Sequence, residues 1–244
     1  MMTLLQNKTA IVYGAGGLVG AAVSRAFARE GARVVLTGRS QQKLTKVAQE
    51  IRNAGGNVET AVVDALDKSA VRAHAEAVAA AANGIDIAFN ATSNDDLQGI
   101  PLLDMDFADF ARPVSKVIAT HFNIATVTAR HMTERGGVIL ALGGGREAIP
   151  ELGGSHVAWS ALAGLCRQLA SELGPSGIRV AWLLSPGSPE PDGHEPDDPL
   201  AGQTLLGRRP SYQDVANAAV FAASDWAATM TGTEINLTGG AVID

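Results

Sequence analysis

The sequence predicts a doubly wound α/β domain built on a mostly parallel sheet of about seven strands, and three observations carry that prediction. Short runs rich in Val, Ile and Leu alternate with longer Ala-rich stretches of helical period along the whole chain. Most of these runs lack period-2 alternation, as expected of parallel strands covered on both faces. The first run leads directly into a glycine-rich turn that opens a helical segment. Regular alternation of strand and helix implies right-handed βαβ units. No linker or repeat divides the chain, so residues 1–244 read as one domain.

Taken in order, strands are expected at Thr9–Tyr13, Arg33–Thr37, Asn57–Val63, Ile85–Asn90, Val138–Leu142, Ile178–Leu184 and Glu234–Leu237. Helices are expected between them at Leu18–Glu30, Gln41–Ala54, Lys68–Ala82, Phe107–Thr133, Val157–Leu173 and Tyr212–Ser224. Gly31 and the pair Gly55-Gly56 supply glycine stops to the first two helices. The one compositional break is Ser185–Gly202 (SPGSPEPDGHEPDDPLAG), too rich in proline and acidic residues for a helix or strand interior. A loop after a strand's C-terminal end borders the ligand crevice of such folds, so residues 185–210 read as a substrate loop or lid. A solvated excursion is the alternative.

Composition narrows the function. With 46% hydrophobic and 18% charged residues the chain is an ordinary globular protein. A net charge of −6 offers no electrostatic footprint for nucleic acid. The single cysteine, Cys166, can form no internal disulfide. No Cys or His spacing suggests a metal, and nothing fixes a ligand geometry around His194. The N-terminus runs into a strand without a signal-peptide pattern, and no apolar run is long enough for a membrane helix. A cytoplasmic protein acting on a small molecule, with no membrane partner, is the expectation.

The turn Gly14-Ala15-Gly16-Gly17-Leu18-Val19-Gly20 sits between a strand and a helix. In that context backbone N–H groups and the positive end of the helix dipole face whatever lies above, and a pyrophosphate suits them. The glycines follow G-x-x-G-x-x-G at Gly14, Gly17 and Gly20 rather than G-x-G-x-x-G, since position 19 is Val. An acidic residue about 20 residues further on would accept bonds from an NAD ribose. The second strand ends instead in Leu36-Thr37-Gly38-Arg39-Ser40. An arginine there suits a 2′-phosphate through charge-assisted hydrogen bonds, so NADP(H) is favoured over NAD(H).

With these pieces in place, the chain resembles the short-chain dehydrogenase/reductase superfamily along nearly its whole length. Asp64-Ala65 ends the third strand, where the family places an aspartate over adenine, and Phe89-Asn90-Ala91-Thr92 resembles the family's Asn-Asn-Ala-Gly motif. Ala161–Leu173, Gly177-Ile178-Arg179-Val180 and Ser185-Pro186-Gly187 match its most recognisable stretch. Gly207-Arg208-Arg209-Pro210 through Val215-Ala216, Ala222–Asp225, Gly232 and Gly239-Gly240 complete the C-terminal pattern. The resemblance implies that Gly14, Gly16, Gly17, Leu18, Val19, Gly20, Arg39, Ser40, Asp64, Ala65, Asn90, Ala91, Thr92, Pro186 and Gly187 bind the cofactor. It also implies a homo-oligomer, commonly assembled through the two long helices.

The departures fall where the family keeps its chemistry. Its Tyr-x-x-x-Lys pair lies on one helix face, assisted by a Ser and an Asn; the Tyr transfers a proton while the Lys lowers its pKa. By position the Tyr is Ser155, the Lys is Trp159, the Asn is Val117, and the Ser falls in Gly143-Gly144-Gly145, at Gly144. Ser155 remains as a hydroxyl candidate without a neighbouring base, and Trp159 carries no charge. His121, His156 and Tyr13 read as structural or packing residues, and Arg146 and Glu147 as a solvated ion pair. Three readings follow. The first is an atypical NADP-dependent oxidoreductase acting on a small organic carbonyl or alkene. The others are a non-redox cyclase, lyase or isomerase, and a non-catalytic nucleotide-binding partner or sensor.

Overall fold

The computed structural model describes residues 3–132, 136–185 and 201–243. Seven strands form one sheet: β1 (Thr9–Tyr13), β2 (Arg33–Gly38), β3 (Val58–Val62), β4 (Ile87–Asn90), β5 (Gly137–Gly143), β6 (Ile178–Leu184) and β7 (Thr233–Asn236). Their order is β3-β2-β1-β4-β5-β6-β7, and every neighbouring pair is parallel. Among the described residues six α-helices accompany them: α1 (Leu18–Arg29), α2 (Gln41–Asn53), α3 (Lys68–Ala82), α4 (Phe107–Thr128), α5 (Ser155–Leu173) and α6 (Tyr212–Ala223).

Both faces of the sheet are covered. Along β1, Ala10 and Val12 enter a core shared with α1, α2 and α6, whereas Ile11 and Tyr13 enter a second core shared with α3, α4 and α5. Period-2 alternation therefore exists in the packing although both sets of side chains are apolar, so the strands read as continuous hydrophobic runs. Strand order reverses at β1, whose neighbours are β2 and β4, and a crevice opens there at the C-terminal ends of the strands. No helix among the described residues is long and apolar enough to cross a membrane.

Several boundaries differ from the sequence expectation. The first residues of the expected fourth strand, Ile85 and Asp86, lie outside β4. Ile85 N donates to His131 O at 3.3 Å, and Asp86 secures the start of β1 by accepting from Thr9 N at 2.8 Å. α4 gives way to a 3₁₀ turn over Ala129–His131 instead of running on to Thr133, which lies outside the described residues. α5 begins at Ser155, two residues earlier than expected, behind an N-cap glycine, Gly154, that offers no capping side chain as a signal.

Candidate active site

A cavity of about 1160 Å³ runs along the C-terminal ends of the strands. That exceeds the roughly 300–1,000 Å³ of ordinary small-ligand pockets and leaves room for a dinucleotide beside a small substrate. Gly14, Gly16, Gly17, Leu18, Val19 and Gly20 line it at the centre, Arg39, Ser40, Asp64 and Ala65 on the β2–β3 side, and Ala91 and Thr92 after β4. Twelve of the fifteen residues assigned to a cofactor thus share one wall. Asn90 stands behind it: its Oδ1 accepts from Thr92 N at 2.9 Å and shapes the turn. Pro186 and Gly187 lie outside the described residues, as do His194 and most of the expected loop; from its flanks Ser185, Gln203, Thr204 and Arg209 reach the cavity.

The glycine turn is held by long-range bonds. Thr37 O accepts from Gly14 N at 2.9 Å and Ala15 N at 3.0 Å, which ties the turn to β2. Gly14 has φ +78°, and a Cβ there would stand 2.4 Å from Ala91 O, so both conformation and space require glycine. A Cβ on Gly20 would stand 2.3 Å from Gly14 O, so this glycine lets α1 close onto the turn.

α1, α4 and α5 start without a side-chain cap, and of these α1 opens on the glycine turn that lines the cavity. α2, α3 and α6 are capped by the side chains of Ser40, Asp67 and Ser211. α1 starts on Gly17 with no side-chain cap and no acidic residue in its first turn. Its first N–H groups and dipole are left for an anion in the cavity, and a pyrophosphate fits that donor set. Beside it, Arg39 makes no hydrogen bond or ion pair with any described residue. Lys43, from the first turn of α2, also lines the cavity. A Cβ on Gly16 would meet Lys43 Cβ at 2.9 Å, so the stem of this lysine packs against the glycine turn. The G-x-x-G pattern and Arg39 were legible; Lys43 was not, because only the contact with Gly16 reveals it.

In and behind the cavity wall lie buried polar atoms without a hydrogen-bond partner among the described residues: Tyr13 Oη, Asn90 Nδ2 and His121 Nε2. Tyr13 and His121 are buried and also line the cavity. Burial pushes the His121 pKa down to about 4, against a smaller upward pull from its hydrogen bond with Val117 O. Nδ1 lies 2.9 Å from that carbonyl, so a neutral imidazole donates there and presents Nε2 as an acceptor. Burial likewise raises the Tyr13 phenol well above its ordinary value.

At the four positions of the family's chemistry, Val117 lines the cavity and is 7% exposed. Trp159 lies over Gly144, where an added Cβ would stand 2.2 Å from indole Cε2. Ser155 is 0% exposed and does not line the cavity, so it cannot meet a ligand directly. Its Oγ donates to Asp96 Oδ2 at 2.6 Å and accepts from Gln98 Nε2 at 3.3 Å. Nearby, Lys116 on α4 pairs with Asp95. The hydrogen bond from Lys116 is the main reason the Asp95 carboxyl sits below its ordinary pKa. Arg146 does not pair with Glu147 as expected: it binds Glu234 on β7 at 2.6 Å, and Glu234 also accepts from Trp182 Nε1 at 2.8 Å. The indole and guanidinium converge on one carboxylate across the sheet, a contact no local pattern announces.

Comparison with known proteins sets this geometry in a family. The sequence profile described as "Enoyl-(Acyl carrier protein) reductase" matches residues 14–242. An uncharacterised oxidoreductase of Bacillus subtilis is 30% identical, over 98% of this chain and 92% of its own. Among solved structures, a short-chain type dehydrogenase/reductase from Mycobacterium ulcerans superposes with a TM-score of 0.90 at 26% identity, over 97% of this chain and 90% of the other. A 7α-hydroxysteroid dehydrogenase complexed with NADH and 7-oxo glycochenodeoxycholic acid superposes with a TM-score of 0.87 at 27% identity, over 100% and 97%.

Proposed function

This chain belongs to the short-chain dehydrogenase/reductase superfamily of oxidoreductases, and we propose that it transfers hydride between NADP(H) and a small organic carbonyl or alkene without the family's Tyr/Lys relay. The observation that carries the proposal is the single cavity that joins an uncapped helix N-terminus to two cations. The glycines and first turn of α1 take the pyrophosphate. Arg39, Ser40 and Lys43 take the ribose 2′-phosphate, Asp64 and Ala65 the adenine, and Ala91 and Thr92 the ribose beyond, with Asn90 shaping their turn. The relative solved with NADH supports the nicotinamide class of cofactor. Preference for NADP(H) rests on Arg39 and Lys43, which meet a phosphate dianion where no carboxylate is present to accept ribose hydroxyls.

When bound, the nicotinamide supplies or accepts the hydride. The protein's own part is to orient it, exclude water and handle one proton. No observation favours the non-redox or sensor readings. The test is NADPH consumption by the purified protein against panels of small ketones, aldehydes and enones, followed optically. Turnover of at least one class, faster with NADPH than with NADH, is expected. Tight NADPH binding with no turnover of any carbonyl or enone would overturn the proposal.

A further inference from the structure

We infer that Asp96 is the group that moves the proton in this site, with Ser155 and Gln98 holding it in place. The inference rests on the oxidoreductase reading above. It starts from Ser155, a hydroxyl buried at 0% exposure in the first turn of α5, at the position of the family's tyrosine. All of its hydrogen bonding is spent on one neighbour pair. Oγ donates to Asp96 Oδ2 at 2.6 Å and accepts from Gln98 Nε2 at 3.3 Å, while Gln98 Nε2 also donates to Asp96 Oδ2. The carboxylate therefore receives two donors on Oδ2, and Oδ1 has no hydrogen bond to a described residue. Asp96 lines the cavity and Ser155 does not. A serine too short to reach the ligand thus anchors a carboxylate that does.

Placement along the cavity agrees. The phosphate turn follows β1, and Arg39 and Asp64 lie towards β2 and β3, so the nicotinamide half extends over β4, β5 and β6. Asp96 lies on that half, in the β4–α4 connection and against the start of α5. The other carboxylates there are committed or unoriented, and His121 lines the cavity with its Nε2 buried. Asp95 is paired with Lys116. Glu147 and Glu151 line the cavity but are exposed, and no hydrogen bond to a described residue orients either side chain. Trp159 has no basic site.

In alcohol oxidation the substrate hydroxyl gives its proton to Asp96 while its carbon loses hydride. The C–H pair of electrons leaves for the nicotinamide, the C–O bond becomes C=O, and Asp96 ends protonated. Carbonyl reduction is the same step reversed, with the Asp96 proton passing to the new hydroxyl. Two hydrogen bonds on Oδ2 orient the carboxylate and leave Oδ1 for the substrate proton.

The test has a binding arm and a turnover arm. A carboxylate beside the nicotinamide favours the cationic oxidised ring over the neutral reduced one. Titrating NADP⁺ and NADPH by calorimetry into wild type, Asp96→Asn and Asp96→Glu should therefore show the NADP⁺ preference falling by at least about three-fold in Asp96→Asn and surviving in Asp96→Glu. With any substrate the wild type turns over, Asp96→Asn should lose about 100-fold or more in kcat with little change in KM. NADPH affinity close to wild type in Asp96→Asn serves as its folding control. An unchanged NADP⁺/NADPH ratio, or unchanged kcat in Asp96→Asn, would overturn the role of Asp96 alone. Failure of wild type to bind either dinucleotide would overturn the oxidoreductase reading, and Asp96 with it.

Discussion

A serine at position 144 would carry its Cβ to 2.2 Å from Trp159 Cε2, so the glycine and the indole occupy one space. Two departures from the family pattern that look independent in sequence are therefore coupled. Gly144→Ser should destabilise the protein by about 1–3 kcal/mol as an overpacked site, and Trp159→Ala should remove most of that cost, read as non-additivity in a urea double-mutant cycle. Equal cost in both backgrounds would show that the indole does not fill the site. His121 gives a second prediction. Its folded pKa of about 4 lies below the ordinary 6.5. The unfolded chain therefore binds a proton at a higher pH than the fold does, and stability falls as pH drops from 6.5 towards 4. Wild type should lose about 2 kcal/mol more than His121→Leu between pH 7 and pH 5, measured by urea denaturation at the two values. The glycines were legible because they sit together in one strand–turn–helix, and Arg39 because it directly follows the next strand. Asp96 and Ser155 were not paired in sequence because 59 residues separate them and the fold alone brings them together.

Among the elements, the helices and strands follow from composition and period, and their ends follow from caps. Lys68–Ala82 and Ile178–Leu184 were readable to the residue, the helix because Asp67 caps α3 and accepts from Ser69 N and Ala70 N. α5 was read two residues short because Gly154 carries no such signal. α6 shows the opposite case. Ser211 and Asp214 form a capping box, and Arg208 binds the same carboxylate at 2.7 Å. Burial raises the Asp214 pKa, but the bonds from Arg208 and Ser211 outweigh it and hold the carboxyl below its ordinary value. Ser211→Ala should cost about 1 kcal/mol, a fall in Tm of roughly 2–4 °C for a domain of this size that calorimetry can resolve. An unchanged Tm would mean that the cap contributes nothing to α6. α1 lacks such a cap, and its first N–H groups open onto the cavity, where the proposed pyrophosphate would complete them.

Across the whole molecule, strand order β3-β2-β1-β4-β5-β6-β7 sets the reversal point at β1, and the cavity runs over both halves of the sheet. Alternation of short apolar runs with helical segments made this architecture legible. The filling of the crevice over β4, β5 and β6 was not legible, because its loops and helix starts come from separate parts of the chain. Phe107 and Phe122 on α4 and Val157 on α5 are exposed, at 79%, 44% and 42%. The homo-oligomer implied by the family would cover such residues, and light scattering on the purified protein should return a dimer or tetramer; a monomer at micromolar concentration would contradict that expectation. The central claim, that this fold keeps an NADP site, is tested most directly by equilibrium titration of NADPH and NADH into wild type and Arg39→Ala. NADPH should bind tighter than NADH by at least about ten-fold, with most of that preference lost in Arg39→Ala. Failure of either dinucleotide to bind, or equal affinities that Arg39→Ala leaves unchanged, would contradict it.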